Sequence, residues 1–142
     1  MRDVSFGLYL RDDQVIVCPS SWGIDIDPVM IVPPVETEVQ QAIEQAIELS
    51  GRTPSQPEYD PKKWPVLKAL RLKSARAFHK NVAHIVVLIH EGKIQVLRNE
   101  PTKRGQAFVG VGGPIPVPDI ASLGAIALQA LQDSPRMNPR PP

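Results

Sequence analysis

The chain has 142 residues, a length typical of one domain, and its longest apolar run, Ile85 to Ile89, is far shorter than the roughly 20 residues of a membrane-spanning helix. Its start carries no signal-peptide pattern, so we expect a cytoplasmic protein, and the single Cys18 excludes an internal disulfide. The net charge of +1 hides a split, because the first sixty residues hold eleven acids against three bases, net −8, and the remainder carries +9.

The first predicted elements form a β-hairpin. Apolar residues alternate with other residues from Val4 to Arg11, which is the period-two pattern of a half-buried strand, and Asp12-Asp13 offers a polar turn. A second strand is predicted over Gln14 to Cys18. After a loop from Trp22 to Pro28, a short apolar run over Val29 to Val32 ends at two prolines.

Helical patterns dominate the middle of the chain. Apolar residues recur at three- and four-residue steps from Val35 to Ile47, Thr37 to Gln40 fits a capping box, and Gly51 suits the position after the helix. A connector rich in proline follows from Arg52 to Pro61. The next segment, Val66 to Phe78, is predicted to form helical turns with its lysines and arginines on the outside.

A β-meander and a last helix are predicted in the second half. The three strands are Val82 to Ile89, Lys93 to Arg98 and Gln106 to Val111. The first of them has apolar residues on both faces, so we expect it at the centre of the sheet. Gly110 to Pro118 is interpreted as a rigid loop, and Asp119 as the N-cap of a helix with an apolar stripe from Ile120 to Leu131.

Together these elements predict an α+β protein. Its sheet is expected to be mostly antiparallel and twisted, built from the N-terminal hairpin and the C-terminal three-strand meander, and packed with two or three helices. We expect one domain over residues 1–133 and a disordered, proline-rich tail over residues 134–142.

The residues that could carry chemistry do not form a catalytic or metal-binding pattern. His84 and His90 share a strand face, but six residues separate them by about 20 Å, too far to share one metal. The glycine-rich run Gly110 to Gly113 is followed by prolines instead of a helix N-terminus, so it does not fit a phosphate loop. Cys18 lies in an apolar strand, which suppresses the thiolate. We therefore expect no enzyme activity, cofactor or metal.

The charge split has two interpretations. Either it serves charged partners, or the two halves neutralise each other in the fold. Residues 62–80 contain seven bases together with Trp64 and Phe78, a pattern that would suit nucleic-acid binding through phosphate contacts and base stacking. The acidic first half, however, would repel the same polyanion. A small nucleic-acid-binding protein is therefore the alternative hypothesis and not the preferred one.

Several residues of the second half occur together in a known family. They are Lys68-Ala69-Leu70 with Lys73 and Phe78, the hydrophobic strand, Pro101-Thr102, Gly105 and Phe108, and Leu123-Gly124 through Ala130-Leu131. Residues 62–133 thereby resemble immunity proteins of bacterial contact-dependent growth inhibition (CDI) systems, in which a closing helix with a Leu-Gly pair follows a sheet. The resemblance implies a protein that binds and neutralises the C-terminal toxin domain of a CDI effector, most often a nuclease acting on tRNA.

An acidic surface would suit such a partner, because a nuclease cleft is basic and opposite charges speed association. The predicted partner-binding residues combine acids with aromatic side chains of the kind enriched at interfaces. They are Trp22, Asp25 and Asp27 in one loop, and Glu58, Tyr59 and Asp60 in another. The alternative for the two aromatic residues is a place in the core.

Overall fold

The computed structural model describes residues 2–102 and 107–138. Its strands are β1 (Val4–Arg11), β2 (Gln14–Cys18), β3 (Ser20–Ser21), β4 (Ile24–Asp25), β5 (Met30–Val32), β6 (Val82–His90), β7 (Lys93–Pro101), β8 (Phe108–Gly110) and β9 (Ile115–Val117). The helices are α1 (Glu36–Leu49), α2 (Pro65–Leu70), α3 (Ala75–Phe78) and α4 (Leu123–Asp133), with 3₁₀ turns at Pro61–Lys63 and Ile120–Ser122. The predicted α+β class is confirmed.

The main sheet is antiparallel and runs in the order β5-β2-β1-β6-β7, with both β8 and β9 paired to β7. The predicted N-terminal hairpin is present, with Tyr9 opposite Ile16. The predicted central strand, β6, lies between β1 and β7. At the β6–β7 turn, Glu91 and Gly92 both have positive φ, as a tight two-residue hairpin turn requires.

Both faces of the sheet are covered. Successive side chains of β1 lie on alternate faces of the sheet. Leu8 and Leu10 therefore pack in a first core with α1 and α4, whereas Tyr9 lies on the opposite face. There it joins a second core with Phe78 and Met137. This arrangement explains why β2 is apolar from Val15 to Cys18, since these four residues are buried alternately in the two cores. Among the described residues, no helix combines the length and apolar character needed to cross a membrane.

Several details of the sequence prediction are wrong. The capping box over Thr37 to Gln40 does not form, because α1 already begins at Glu36 after Val35, which makes no side-chain cap. Gln40 instead bonds to the start of α4. The predicted loop over Gly110 to Pro118 contains β9, whose Pro116 is opposite Gln95 of β7. Proline has no backbone N–H to donate to a neighbouring strand, so the prolines of this segment argued against a strand. Proline is tolerated at the edge of a sheet, which is where β9 lies.

The chain also remains packed beyond α4, where a disordered tail was expected from Ser134. Arg136 donates hydrogen bonds to the carbonyls of Leu10 and Asn81 at 2.9 Å each. Met137 is fully buried in the second core and pairs with Val82. The proline-rich composition of the tail concealed these contacts. Residues 139–142 lie outside the described residues, as do Gly105, one of the residues of the family resemblance, and Gln106, the first residue of the third predicted meander strand.

The Leu-Gly pair of α4 has a packing role. The Gly124 N–H donates to Gln40 Oε1 at 2.5 Å, and Gln40 Nε2 donates to the Ile120 carbonyl at 2.7 Å. A Cβ on Gly124 would lie 2.6 Å from Gln40 Oε1 and 2.8 Å from its Cα. Only glycine therefore lets α4 approach α1 this closely.

We expect Gly124→Ala to lower the free energy of unfolding by about 1–3 kcal/mol, because the two helices must move apart. Urea denaturation measures this change. Gly113→Ala is the matched control, since its Cβ would meet no atom within 4 Å and its φ is not positive. Equal stability of the two variants would contradict this account of the Leu-Gly pair.

Candidate functional site

A cavity of about 550 Å³ opens between the β3–β4 ribbon and the connector that precedes α2. Five of the six predicted partner-binding residues line it, namely Asp25, Asp27, Glu58, Tyr59 and Asp60. The structure thus brings together two loops that are about thirty residues apart in sequence. We call this feature the acidic cavity. Its lining also includes Tyr9, Lys63, Trp64 and His79, which the sequence analysis did not assign to the site.

Local turn chemistry positions the two loops. Trp22 and Gly23 both have positive φ, at 59° and 74°, so the β3–β4 ribbon reverses direction in two residues and places Asp25 opposite Ser20. In the connector, Asp60 Oδ1 accepts a hydrogen bond from the Lys62 N–H at 3.0 Å. This bond caps the 3₁₀ turn and fixes the chain where it enters α2.

Asp25 connects the two sides of the cavity. Its Oδ2 accepts a hydrogen bond from the indole Nε1 of Trp64 at 2.6 Å. Burial raises the pKa of the Asp25 carboxyl, and the bond from Trp64 opposes that rise. The sequence could not show this pairing, because the two residues are 39 positions apart.

Tyr9 forms part of the wall from the sheet side. Its ring stacks on His84, with centroids 4.4 Å apart, and meets Phe78 and Trp64 edge to face. The residue is only 9% exposed, and burial raises the pKa of its phenol well above the ordinary value. Within the part of the chain that the structure describes, no group hydrogen-bonds the Tyr9 hydroxyl.

The two predicted aromatic residues are exposed, which excludes the alternative that they belong to the core. Tyr59 is 74% exposed at the acidic cavity. Trp22 is 62% exposed, but it lies at a smaller neighbouring depression and donates its indole N–H to the Thr53 carbonyl at 3.1 Å. Trp22 therefore adjoins the acidic cavity without lining it.

The acidic cavity keeps most of its negative charge. At the acidic cavity, Asp27 pairs with Lys68 of the second half, at 4.0 Å between two largely exposed side chains. A pair of this kind contributes little. The lining contains four acids but only two basic side chains, Lys63 and His79. Burial lowers the pKa of His79, which favours its neutral form. The ion pair of Lys68 with Asp27 therefore does little to neutralise the acids of the cavity.

The basic segment 62–80 offers positive charge but little ring surface for base stacking. Its seven lysines and arginines are all exposed, as predicted. Phe78, however, is fully buried, and Trp64 is held by Asp25 and packs edge to face on Phe78. The part of Trp64 that stays exposed lines the acidic cavity, whose carboxylates would repel a nucleic acid, so base stacking on this segment is disfavoured.

The remaining reactive groups do not form a catalytic set. Cys18 is fully buried, and burial raises the pKa of its thiol well above the ordinary value, so the nucleophilic thiolate is disfavoured. His90 lies 2.9 Å from Asp3, whereas His84 packs on Tyr9. Within residues 2–102 and 107–138, no group of three or more histidine, cysteine or acidic side chains is arranged to hold a metal ion.

His84 makes stability depend on pH. Burial first, and the nearby His79 second, lower its pKa from 6.5 to about 4, and its Nδ1 lies 2.8 Å from the Asn99 amide nitrogen. Between these two pH values the unfolded chain binds the proton and the folded chain does not, so stability falls as the pH falls from 6.5 to about 4.

We expect this residue alone to contribute a loss of roughly 3 kcal/mol in the free energy of unfolding on acidification from neutral pH. Urea denaturation of the wild type and of His84→Gln across this range isolates the contribution, because the variant has no imidazole at this position. Parallel stability curves for the two proteins would show that His84 is not buried in its neutral form.

Comparison with known proteins identifies the fold but no family. No protein-family model matches the chain, and no curated protein matches it. The fold is similar to that of a protein of unknown function from Neisseria meningitidis, with 18% identity and a TM-score of 0.71 over 94% of this chain and 96% of that one. It is also similar to a chain of the CdiA-CT/CdiI toxin and immunity complex from Yersinia pseudotuberculosis, with 14% identity and a TM-score of 0.64 over 93% and 97% of the two chains. At such identities the similarity establishes a shared fold.

Proposed function

We propose that this protein is a CDI immunity protein, which binds the C-terminal toxin domain of an effector in the cytoplasm and neutralises it without catalysis. Two independent similarities support the proposal. One is the shared fold with a chain of a toxin and immunity complex. The other is the resemblance of residues 62–133 to the immunity family, where the Leu123-Gly124 pair has a definite packing role against α1.

The observation that carries the proposal is the acidic cavity. It gathers four carboxylates and the exposed Tyr59 on one surface, although these residues come from separate loops. A tRNA-directed nuclease must present a basic cleft to its substrate, so a negatively charged surface can occupy that cleft and speed association by electrostatic steering. We therefore propose that the partner is a basic nuclease domain and that Trp22 contacts it beside the cavity.

Co-expression in a bacterial host tests this function. We expect the reading frame immediately upstream of this chain to encode a large exported protein, and the C-terminal domain of that protein is the partner to be tested. We expect induction of that domain alone to stop growth and to cleave cellular tRNA, and co-expression of this chain to restore growth and keep the tRNA intact. The purified proteins should form a stable complex.

Failure to protect cells, together with the absence of a complex, would contradict the immunity function. Retardation of RNA by the isolated protein, lost when Lys62, Lys63 and Lys68 are neutralised, would favour the nucleic-acid alternative instead.

A further inference from the structure

We propose that the acidic cavity receives an arginine side chain of the partner protein, with the Asp25 carboxylate and the Tyr9 hydroxyl as its hydrogen-bonding groups. The identity of the partner rests on the proposed function, whereas the capacity to bind a guanidinium group is a property of this chain alone.

Tyr9 is the first of the two hydrogen-bonding groups. Among the described residues, the fully enclosed side-chain polar atom without a partner is Arg98 Nε and not the Tyr9 hydroxyl, so this hydroxyl is still accessible from the cavity. The Tyr9 side chain is nine-tenths buried and lines the acidic cavity, yet no described residue bonds its hydroxyl. A hydroxyl held in this way is ready to accept a hydrogen bond from a group that enters the cavity.

The Asp25 carboxylate is the second hydrogen-bonding group. The bond from Trp64 Nε1 engages one oxygen and fixes the orientation of the carboxylate. A carboxylate has about four acceptor positions, so Asp25 keeps capacity for a charge-assisted hydrogen bond from a cation. Asp27, Glu58 and Asp60 line the same cavity and add to its attraction for positive charge.

The shape and the aromatic walls favour arginine over lysine. A volume of about 550 Å³ accommodates a long side chain, being within the range of small-ligand sites. Trp64 and the exposed Tyr59 offer ring surfaces in the lining. A planar guanidinium group stacks on aromatic rings and donates several hydrogen bonds in one plane, which a lysine ammonium cannot do.

Titration with N-acetylarginine amide tests the cavity without the partner. In the full chain with Trp22→Phe, Trp64 is the sole remaining tryptophan, so its fluorescence reports on the acidic cavity. We expect a saturable fluorescence change that N-acetyllysine amide produces only at higher concentration.

Two substitutions remove the proposed contacts while preserving the packing. Tyr9→Phe should weaken binding about tenfold, because the hydroxyl accepts a charge-assisted hydrogen bond from the guanidinium cation, and it should do so without loss of stability. Asp25→Asn retains an acceptor for Trp64 and should weaken binding about tenfold or more through loss of the charge. Asp13→Asn, an exposed acid in the β1–β2 turn, is the control and should bind as the wild type does.

The absence of a saturable signal, or equal affinity of the wild type, Tyr9→Phe and Asp25→Asn, would overturn the inference. Toxin-domain binding by the wild type, Tyr9→Phe and Asp25→Asn in the chain that keeps Trp22 separates the two proposals. If the toxin domain binds all of them equally, the immunity function stands and the arginine site fails. If the toxin domain does not bind but the arginine amide does, the guanidinium site stands and the immunity function fails.

Discussion

Reversing the charge of Asp27 and Glu58 together should weaken binding of the toxin domain by roughly 10- to 100-fold and make the remaining binding less sensitive to salt. Both side chains are exposed at the acidic cavity. The other two acids are less suitable for reversal, because Asp25 accepts the bond from Trp64 and Asp60 caps the 3₁₀ turn. Asp27→Lys with Glu58→Lys therefore changes the surface potential with the least damage to the fold.

Calorimetric titration at two salt concentrations measures the effect. The matched control is Asp13→Lys with Glu44→Lys, which makes the same change in net charge at two exposed positions outside the lining. We expect the control to retain most of the affinity. Equal losses in the two double variants would show that net charge, and not the acidic cavity, governs binding.

Phe78→Ala should lower the free energy of unfolding by about 3–5 kcal/mol, the usual cost of truncating a buried phenylalanine. Phe78 is fully buried, and its ring centroid lies 4.9 Å from that of Tyr9 and 5.0 Å from that of Trp64. Its removal leaves a hole beneath the wall of the acidic cavity. Phe78→Leu should cost clearly less, because it retains much of the apolar volume.

Tyr59→Ala is the control for this experiment. It also removes an aromatic ring, but from a residue that is 74% exposed, so stability should change by no more than about 0.5 kcal/mol. Urea denaturation of the three variants measures their free energies of unfolding. A small effect of Phe78→Ala would mean that the segment over α2 and α3 does not cover the second face of the sheet.

Regular patterns made much of the fold predictable. The alternation from Val4 to Arg11 and the two-sided apolar pattern of β6 correctly indicated a hairpin and a central strand. The errors lie where a tertiary contact overrides a local signal. Gln40 fits a capping box in sequence but bonds to α4, and Met137 sits in a proline-rich segment but fills the second core.

The acidic cavity could be predicted only in part. The sequence indicated Asp25, Asp27 and Glu58, because each is an acid in a predicted loop that also contains an aromatic residue. Tyr9 and Trp64 had no such signal. Tyr9 reaches the cavity because β1 pairs with its neighbouring strands, and Trp64 reaches it because its indole bonds to Asp25. Both depend on contacts between residues far apart in sequence.

Hydrogen exchange of the chain with and without the toxin domain shows whether the acidic cavity is the binding surface. Complex formation should slow amide exchange in residues 22–27 and 57–65, the two segments that carry most of the acidic cavity. Exchange on the outer surface of α1 and α4 should not change. Protection confined to those helices, with unchanged exchange around Asp25 and Tyr59, would contradict the proposed binding surface.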